Sequence, residues 1–186
     1  QFTLYSLDEV TVEEVLSKNP QTVRLVYKHM PLAVHNNALE AAFAAEAAGN
    51  QGMFFEMHDL LFKNQSEWES APDPKKQFEV YASELELDMT QYYSDSASQE
   101  VKDKVAADAK IGNDIVVSFT PSFVINGKLL QNNPQSLEEF QALIDAELEG
   151  VDLESYNTSS EEAHLDEDMN DNSEMKESPH EQHRPQ

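Results

Sequence analysis

The amino-acid sequence predicts an α/β fold in which two halves of the chain share one small sheet. The chain opens with segments in the order β-α-β, it closes with segments in the order β-β-α, and a block of helices separates the two parts. Because connections between parallel strands cross over with one hand, the two halves are expected to share a sheet of four strands. The helical block is then an insertion between the halves.

The closing half is organised around a hairpin with a proline at its mouth. Two β-prone runs, residues 122–125 and 128–130, are separated by Asn126-Gly127. Asn-Gly is the strongest two-residue hairpin signal because both positions tolerate a positive φ. Pro121 cannot donate to a strand ladder, so it belongs at the first residue of the strand or at an edge. The bond between Thr120 and Pro121 is also a candidate cis peptide.

The opening half is predicted from alternating patterns and from helix caps. Residues 2–6 alternate apolar and polar side chains and predict a short strand. A helix follows, for which Asp8 or Thr11 is the expected N-cap. Residues 22–29 alternate again, apart from an additional apolar residue, Val26, which indicates a second strand covered on both faces.

The inserted block is predicted to contain four or five helices. Ala, Leu and Glu dominate its first segment, and Asp73, Asp88 and either Ser96 or Ser98 are the expected N-caps of later ones. The predicted helices cover residues 37–48, 52–64, 74–85, 88–93 and a last segment that ends near 111. The inner side of the last helix is expected to carry Val101, Val105, Ala106 and Ala109. The aromatic residues of the block are interpreted as core, with a surface groove as the alternative: Phe54, Phe55, Phe62 and Trp68.

The globular part is predicted to end at Gly150. Ser136 and Glu139 form the capping box of a final helix that reaches Leu148. Residues 151–186 are rich in Ser, Asn, Glu, Asp and Pro, a composition typical of disorder. The sequence therefore predicts one domain of thioredoxin-like topology over residues 1–150 and a disordered acidic tail over 151–186.

Composition excludes several kinds of function. The chain has 12 Lys and Arg against 36 Asp and Glu, a formal charge of −24. This charge argues against nucleic acid and against an anionic membrane surface as partners. It contains no cysteine, which excludes a disulfide, thiolate catalysis and a Cys-ligated metal for the chain as given. No apolar run approaches the length of a membrane span, so membrane insertion is not expected.

Four segments together resemble the DsbA-like thiol-disulfide oxidoreductases of bacteria: residues 23–32, 38–49, 51–62 and 120–127. The resemblance runs from about Phe2 to Leu148. It implies a thioredoxin fold with a helical insertion, an extracytoplasmic location in the periplasm or cell envelope, and extended or unfolded polypeptides as substrates. Pro121 matches the cis-proline of that family, and Thr120 matches the preceding residue, whose backbone pairs with the substrate chain.

The chain departs from this family at its reactive centre. The family carries a Cys-x-x-Cys pair at the start of the first helix, where the helix dipole stabilises a thiolate. Residues 6–10 enter the helix here without sulfur, and disulfide exchange requires a thiolate. Two explanations remain open. Either the protein has lost the chemistry and kept the groove, or the sequence is incomplete at Gln1, in which case residues 2–6 belong to the first helix.

Neither a metal site nor a cofactor is predicted. His29, His35 and His58 are interpreted as packed or surface residues, since a lone histidine is seldom a ligand. In the tail, oxygen-bearing residues from Asp166 to Glu177 follow a calcium-loop spacing, but Asp171 occupies the position that needs glycine. We interpret this spacing as a chance feature of an acidic segment.

The function predicted from sequence is therefore membership of a disulfide oxidoreductase family by a chain that is itself redox-inactive. Thr120 and Pro121 are its expected substrate-binding residues, and no catalytic residue is assigned. The alternative is a non-catalytic peptide-binding or protein-binding module whose acidic tail recruits a basic partner.

Overall fold

The computed structural model describes residues 5–151, with side chains from residue 12 onward. The helices and strands are α1 Tyr5–Lys18, α2 Ala38–Gly49, α3 Phe54–Lys63, α4 Gln65–Trp68, α5 Lys75–Glu84, α6 Met89–Ala97, α7 Gln99–Asp114, β1 Val124–Ile125, β2 Lys128–Leu129 and α8 Leu137–Leu148. They belong to two compact units, one up to Ser122 and one from Phe123 onward. No described helix is both long enough and apolar enough to cross a membrane.

The core of the first unit forms around the alanine-rich helix α2. Alanines let neighbouring helices approach closely, and Ala47 and Ala48 are completely buried. The Trp68 indole lies in the same core and donates a hydrogen bond to the Leu61 carbonyl at 2.8 Å, so its polar atom is satisfied. Large side chains from α3 to α6 complete this core, namely Met57, Leu61, Phe78, Tyr81 and Tyr92.

The aromatic residues of the block were expected to be core. Phe78 and Trp68 contact each other edge to face, with ring centroids 5.4 Å apart, and both are buried. Phe54 and Phe62 are only half-buried, and Phe55 is exposed. The core therefore buries only some of the apolar side chains of α3.

The first predicted strand is wrong where the structure describes it. Residues 2–4 lie outside the described residues, and Tyr5 and Ser6 are the first residues of α1. The predicted caps, Asp8 and Thr11, lie inside the same helix. An alternating pattern of five residues is short, and the helical sequence that follows it extends through those positions.

The second predicted strand is also wrong. Residues 23–32 have no regular secondary structure, and Val26, expected to be covered on both faces, is 55% exposed. Only β1 and β2 pair among the residues that the structure describes, so the four-stranded sheet predicted from the sequence is not formed there. A strand requires a hydrogen-bonded neighbour, and side chains of α2 and α7 hold this segment instead.

The caps of α6 and α7 decide where these helices begin. The Asp88 carboxylate accepts from the backbone N–H of Gln91 at 3.0 Å, as predicted. Of the two candidates for α7, Ser98 is the cap, and its hydroxyl accepts from the N–H of Val101 at 3.1 Å. Ser96 lies within α6.

The inner face of α7 differs from the prediction at one position. Val101 and Val105 are buried, but Ala106 is exposed. The next buried residue is Asp108, which continues the spacing of four and three residues along the helix. A charged residue therefore occupies a position that the pattern reserves for an apolar one.

The second unit contains the predicted hairpin and the final helix. β1 and β2 are antiparallel, with Val124 opposite Leu129, and φ is 47° at Asn126 and 86° at Gly127. Both turn residues thus adopt the left-handed conformation that Asn-Gly favours. The Phe123 ring meets the ring of Phe140 on α8 at 4.9 Å, edge to face.

The N-terminus of α8 is capped from both directions. The Ser136 hydroxyl accepts from the N–H of Glu139 at 3.2 Å, as the capping box predicts. The Glu139 carboxylate reaches back to the N–H of Gln135 at 2.7 Å, one residue before the usual partner. The predicted helix is confirmed.

Candidate functional site

The two predicted binding residues lie in the irregular loop that follows α7. The peptide bond between Thr120 and Pro121 is cis, and both residues are half-buried. The Thr120 backbone makes no hydrogen bond with any residue that the structure describes. Its N–H and C=O therefore remain available to a polypeptide that runs alongside the loop.

The start of this loop is set by the way α7 ends. The N–H of Val117 donates to the Gly112 carbonyl at 2.9 Å, and the N–H of Val116 donates to the Asn113 carbonyl at 3.1 Å. These two bonds form a Schellman motif, whose central residue adopts the left-handed conformation. That residue is Val116, with φ of 59°.

A side-chain hydrogen bond spans Thr120 and Pro121 and joins the residues on either side of them. The Ser122 hydroxyl donates to the carbonyl oxygen of Phe119 at 2.6 Å. Thr120 and Pro121 thus lie between the two residues joined by this bond, Phe119 and Ser122. This geometry presents a short piece of backbone in a defined direction.

Three buried polar residues lie in the same unit, around the irregular segment that contains His29. His29, Glu46 and Asp108 are each at most 5% exposed. The His29 ring atom Nε2 lies 3.0 Å from Glu46 Oε1, and the His29 backbone N–H donates to Asp108 Oδ2 at 3.3 Å. The segment is therefore attached to α2 by a side chain and to α7 by its backbone.

Two lysines complete this buried cluster. Lys28 Nζ donates to Asp108 Oδ1 at 2.6 Å, and Lys104 Nζ donates to the second oxygen of Glu46. Each oxygen of the two carboxylates thus has one partner, which a buried charge requires. Both lysines keep about half of their side chains in solvent, as is usual for long cationic side chains.

The pKa values of the cluster follow from its burial and its partners. Burial raises the pKa of Glu46, but the hydrogen bonds from His29 and Lys104, together with their charges, outweigh burial and leave the pKa below its ordinary value. Burial, reinforced by the negative charges of Asp108 and Glu46, raises the pKa of Tyr27 to about 12. Tyr27 therefore stays neutral throughout the physiological range.

Rings from α3 cover the same segment. The Tyr27 ring lies 5.2 Å from Phe54 and 5.1 Å from His58 by centroid distance. His58 Nδ1 lies 3.0 Å from Asp59 Oδ1. Burial lowers the pKa of His58, although the hydrogen bond and charge of Asp59 act in the opposite direction. The rings hold residues 27–29 against α3.

A close approach of backbone completes the packing of this segment on α7. A Cβ atom added at Gly112 would lie 2.8 Å from the Met30 sulfur, so only glycine permits the contact as it stands. Met30 and Asp108 therefore place the segment directly on the helix that leads to the Thr120 loop.

Sequence reasoning did not identify Glu46 or Asp108 as residues of special importance. Glu46 lies among alanines in a helix-forming run, and Asp108 follows two alanines in another. In the sequence, Glu46 is 17 residues from its partner His29 and 58 residues from its partner Lys104. Asp108 is 79 residues from His29. The available signal was the position of Asp108 on the buried stripe of α7. No group of three or more potential metal ligands occurs among the residues that the structure describes.

Comparisons with known proteins agree on the fold. A family model described as Thioredoxin matches residues 8–146. The crystal structure of a thioredoxin-like oxidoreductase from Silicibacter pomeroyi DSS-3 superimposes with a TM-score of 0.62. It is 24% identical in sequence, and the match covers 76% of this chain and 77% of that one. The predicted fold class, thioredoxin-like with an inserted helical block, is confirmed by these two matches.

The curated relatives are much longer proteins. The Na(+)/H(+) antiporter NhaA 3 of Salinispora tropica is 37% identical over 124 residues, which cover 66% of this chain and 18% of that protein. The Na(+)/H(+) antiporter NhaA 1 of Salinispora arenicola is 35% identical over 146 residues, covering 78% of this chain and 21% of that protein. The chain thus spans about a fifth of the length of these relatives.

Proposed function

Because the chain belongs to the thioredoxin family, we propose that it is a DsbA-like domain whose Thr120–Pro121 loop binds extended polypeptide by backbone pairing. As it stands, the domain lacks redox catalysis, since it contains no cysteine. Disulfide exchange proceeds by thiolate attack, and no other side chain supplies that reaction. Of the two parts of the family activity, polypeptide binding and disulfide exchange, this chain retains only polypeptide binding.

The observation that carries this proposal is the open backbone of Thr120. The residue makes no hydrogen bond with the described part of the chain, although its neighbour Phe119 is anchored through its carbonyl. Backbone groups that lack partners and lie at a fixed position recognise an extended chain without regard to its side chains. Such recognition suits a substrate class of unfolded polypeptides.

Peptide binding tests the groove directly. Proline fixes φ near −65°, so Pro121 holds the Thr120 backbone in one direction. We expect Pro121→Ala to abolish binding of an unstructured, fluorescein-labelled peptide in a fluorescence anisotropy titration. The matched control is Pro72→Ala, in an exposed turn of the same unit, which should bind as the unchanged chain does. If all three proteins bind the peptide equally, the Thr120–Pro121 loop is not the binding site.

An insulin-reduction assay tests the redox part. The chain as it stands is compared with a version that carries a strand and a Cys-x-x-Cys segment ahead of α1. Activity in the grafted protein alone shows that the scaffold and the groove are competent and that only sulfur is missing. Activity in the chain without cysteine would refute its redox inactivity, and inactivity of both proteins would show that the scaffold itself has lost competence.

We further propose an extracytoplasmic location, the compartment in which proteins of the resembled family act on exported chains. Na(+)/H(+) exchange is not carried over from the relatives, because the chain matches only about a fifth of their length. An export reporter fused to the full-length protein in a bacterial host tests the location, and purely cytoplasmic fractionation would contradict it.

The acidic segment favours a second candidate function, an interaction module. Residues 151–186 carry 11 acidic residues against Lys176 and Arg184. A segment of this charge attracts a basic partner or a cation. Deleting 152–186 should abolish such an interaction and leave peptide binding by the loop intact, which separates the two candidates.

A further inference from the structure

We propose that Ile115, Val116 and Phe119 form an apolar subsite beside Thr120 that selects extended polypeptides with a large apolar residue flanked by Lys or Arg. The inference rests on the proposed function, because it names the substrate class of the same loop. It adds a surface that determines side-chain specificity to a site that otherwise recognises only the backbone of the bound peptide.

The first argument is that the buried stripe of α7 becomes exposed at its C-terminal end. Val101, Val105 and Asp108 are all buried. The position seven residues after Asp108, two helical turns along, faces the same side and is occupied by Ile115. Ile115 is nevertheless 41% exposed. The apolar face of the helix thus ends uncovered where the binding loop begins.

The second argument is the identity of the residue that ends the helix. The central position of a Schellman motif favours glycine, because a side chain is strained at positive φ. A β-branched residue is the least suited to this conformation. Val116 nevertheless has φ of 59° and is 73% exposed, so its side chain contributes little to the packing of the described residues. A residue that is unfavourable for the backbone and exposed to solvent points to a role in binding.

Phe119 extends this surface up to the binding backbone. It immediately precedes Thr120, and the residue is 45% exposed. Because the Ser122 hydroxyl holds the Phe119 carbonyl, the residue cannot swing freely away from the loop. All three residues lie within the five positions before Thr120, so they fall within the span of a short bound strand.

The charge of the protein identifies the flanking residues of the occupant. Acidic residues outnumber basic ones by 36 to 12, and Lys110, on the last turns of α7, is paired with Asp114. A peptide that approaches this loop therefore enters a negative potential, which attracts Lys and Arg and repels Asp and Glu. The occupant is an apolar residue within a basic segment rather than within an acidic one.

The test uses the full chain and three labelled nine-residue peptides in fluorescence anisotropy. One peptide has a central Leu and Lys flanks, the second has Ser in place of Leu, and the third has Glu flanks. We expect the Leu–Lys peptide to bind about tenfold more tightly than the Ser peptide, the factor that burial of most of a leucine side chain supplies. The Glu-flanked peptide should bind most weakly.

Two variants test where the subsite lies, and a third variant, described below, serves as a matched control. Val116→Gly and Phe119→Ser should each reduce the preference for Leu to about threefold or less, since part of the buried apolar area is lost. Val116→Gly should also raise the melting temperature, because glycine relieves the strain at positive φ. Loss of selectivity by a more stable protein is not explained by unfolding.

The control is Glu86→Gly at the end of α5. Glu86 has φ of 55° and lies in the same hydrogen-bonding pattern, with Leu87 N–H donating to the Ala82 carbonyl at 3.1 Å. Its replacement should also stabilise the protein and should leave peptide selectivity unchanged. Selectivity that falls equally in Glu86→Gly and Val116→Gly would overturn the assignment of the subsite to α7.

The outcomes separate this inference from the function on which it rests. Equal binding of the Leu and Ser peptides by the unchanged chain overturns the apolar subsite and leaves backbone binding standing. Tight binding of the Glu-flanked peptide overturns the basic preference. Failure of the unchanged chain to bind any of the three peptides overturns the proposed function, and the subsite with it.

Discussion

At the scale of single residues, Glu46 connects three parts of the first unit. Its carboxylate bridges the His29 ring and the Lys104 ammonium while being only 3% exposed. Glu46→Gln removes the charge but keeps the size, and we expect it to lower the free energy of unfolding by about 1–3 kcal/mol. Urea unfolding followed by the fluorescence of Trp68, the only tryptophan in the sequence, measures this loss.

An exposed ion pair on α7 provides the control for this prediction. Lys110 and Asp114 form a salt bridge one turn apart, and both side chains lie mainly in solvent. Asp114→Asn should change stability by less than about 0.5 kcal/mol, because exposed pairs contribute little. A loss as large as that of Glu46→Gln would show that burial is not the reason for the effect.

Glu46 also predicts how the stability depends on pH. Its pKa is lower in the folded state than the ordinary value of 4.5, so its charged form is favoured by folding. The resulting stabilisation is present above the pKa of the unfolded chain and is lost as pH falls through the folded pKa. The difference in unfolding free energy between the unchanged chain and Glu46→Gln should therefore shrink from about pH 6 to about pH 3. A difference that is constant across this range contradicts the assignment.

The sequence suggested Thr120 and Pro121 as candidate binding residues, but it did not predict the buried charges of the first unit. Thr120 and Pro121 were identified because Pro121 and the hairpin signal at Asn126-Gly127 are local features, and because the resemblance assigned them a role. Glu46 was predicted only as part of a helix, since its partners His29 and Lys104 come from distant parts of the chain. Pairing of this kind is set by tertiary packing, which leaves no periodic trace.

At the scale of elements, the start of α7 allows two neighbouring serines to be compared. The Ser98 hydroxyl accepts from the Val101 N–H, while Ser96 belongs to the preceding helix, where its hydroxyl donates to the Tyr93 carbonyl at 3.4 Å. Ser98→Ala should cost about 1 kcal/mol, because one N–H at the helix start loses its acceptor. Ser96→Ala should stay within about 0.5 kcal/mol. Thermal unfolding by circular dichroism distinguishes them, and the reverse order would refute the assigned cap.

Helices and strands differed in how well the sequence predicted them. The bounds of α2, α3, α5, α6, α7 and α8 agree with the prediction to within a few residues, because caps such as Asp88 and Ser136 are determined by neighbours three residues away. The short helix α4 was not predicted, and Pro74, not Asp73, precedes α5. The hairpin is likewise local and is confirmed. Residues 22–29 carry a strand pattern, but a strand also needs a partner, and this segment is bonded to helices through His29 and Asp108.

At the scale of the whole molecule, charge is the property that composition predicts best. The formal charge of −24 follows from counting residues and needs no fold. The limits of the domain depend on packing, and the prediction of one domain over residues 1–150 remains a prediction. The described residues form two compact units that divide at Ser122, directly after the loop that carries Thr120 and Pro121.

The charge of the whole chain predicts that the proposed peptide binding depends on salt. Surface charges are screened over about 10 Å at 0.1 M salt, so raising the ionic strength removes the attraction between the acidic protein and a basic peptide. We expect the Leu–Lys peptide to bind less tightly as NaCl rises from about 20 mM to about 500 mM. An uncharged peptide with the same central Leu should change little, because apolar burial is not screened. Deleting 152–186 should lessen the salt dependence without removing it, because most of the negative charge lies outside this segment. The preference for Leu over Ser should be kept, since Ile115, Val116 and Phe119 remain in place. Binding of the two peptides that changes equally with salt would show that charge plays no part in their selection.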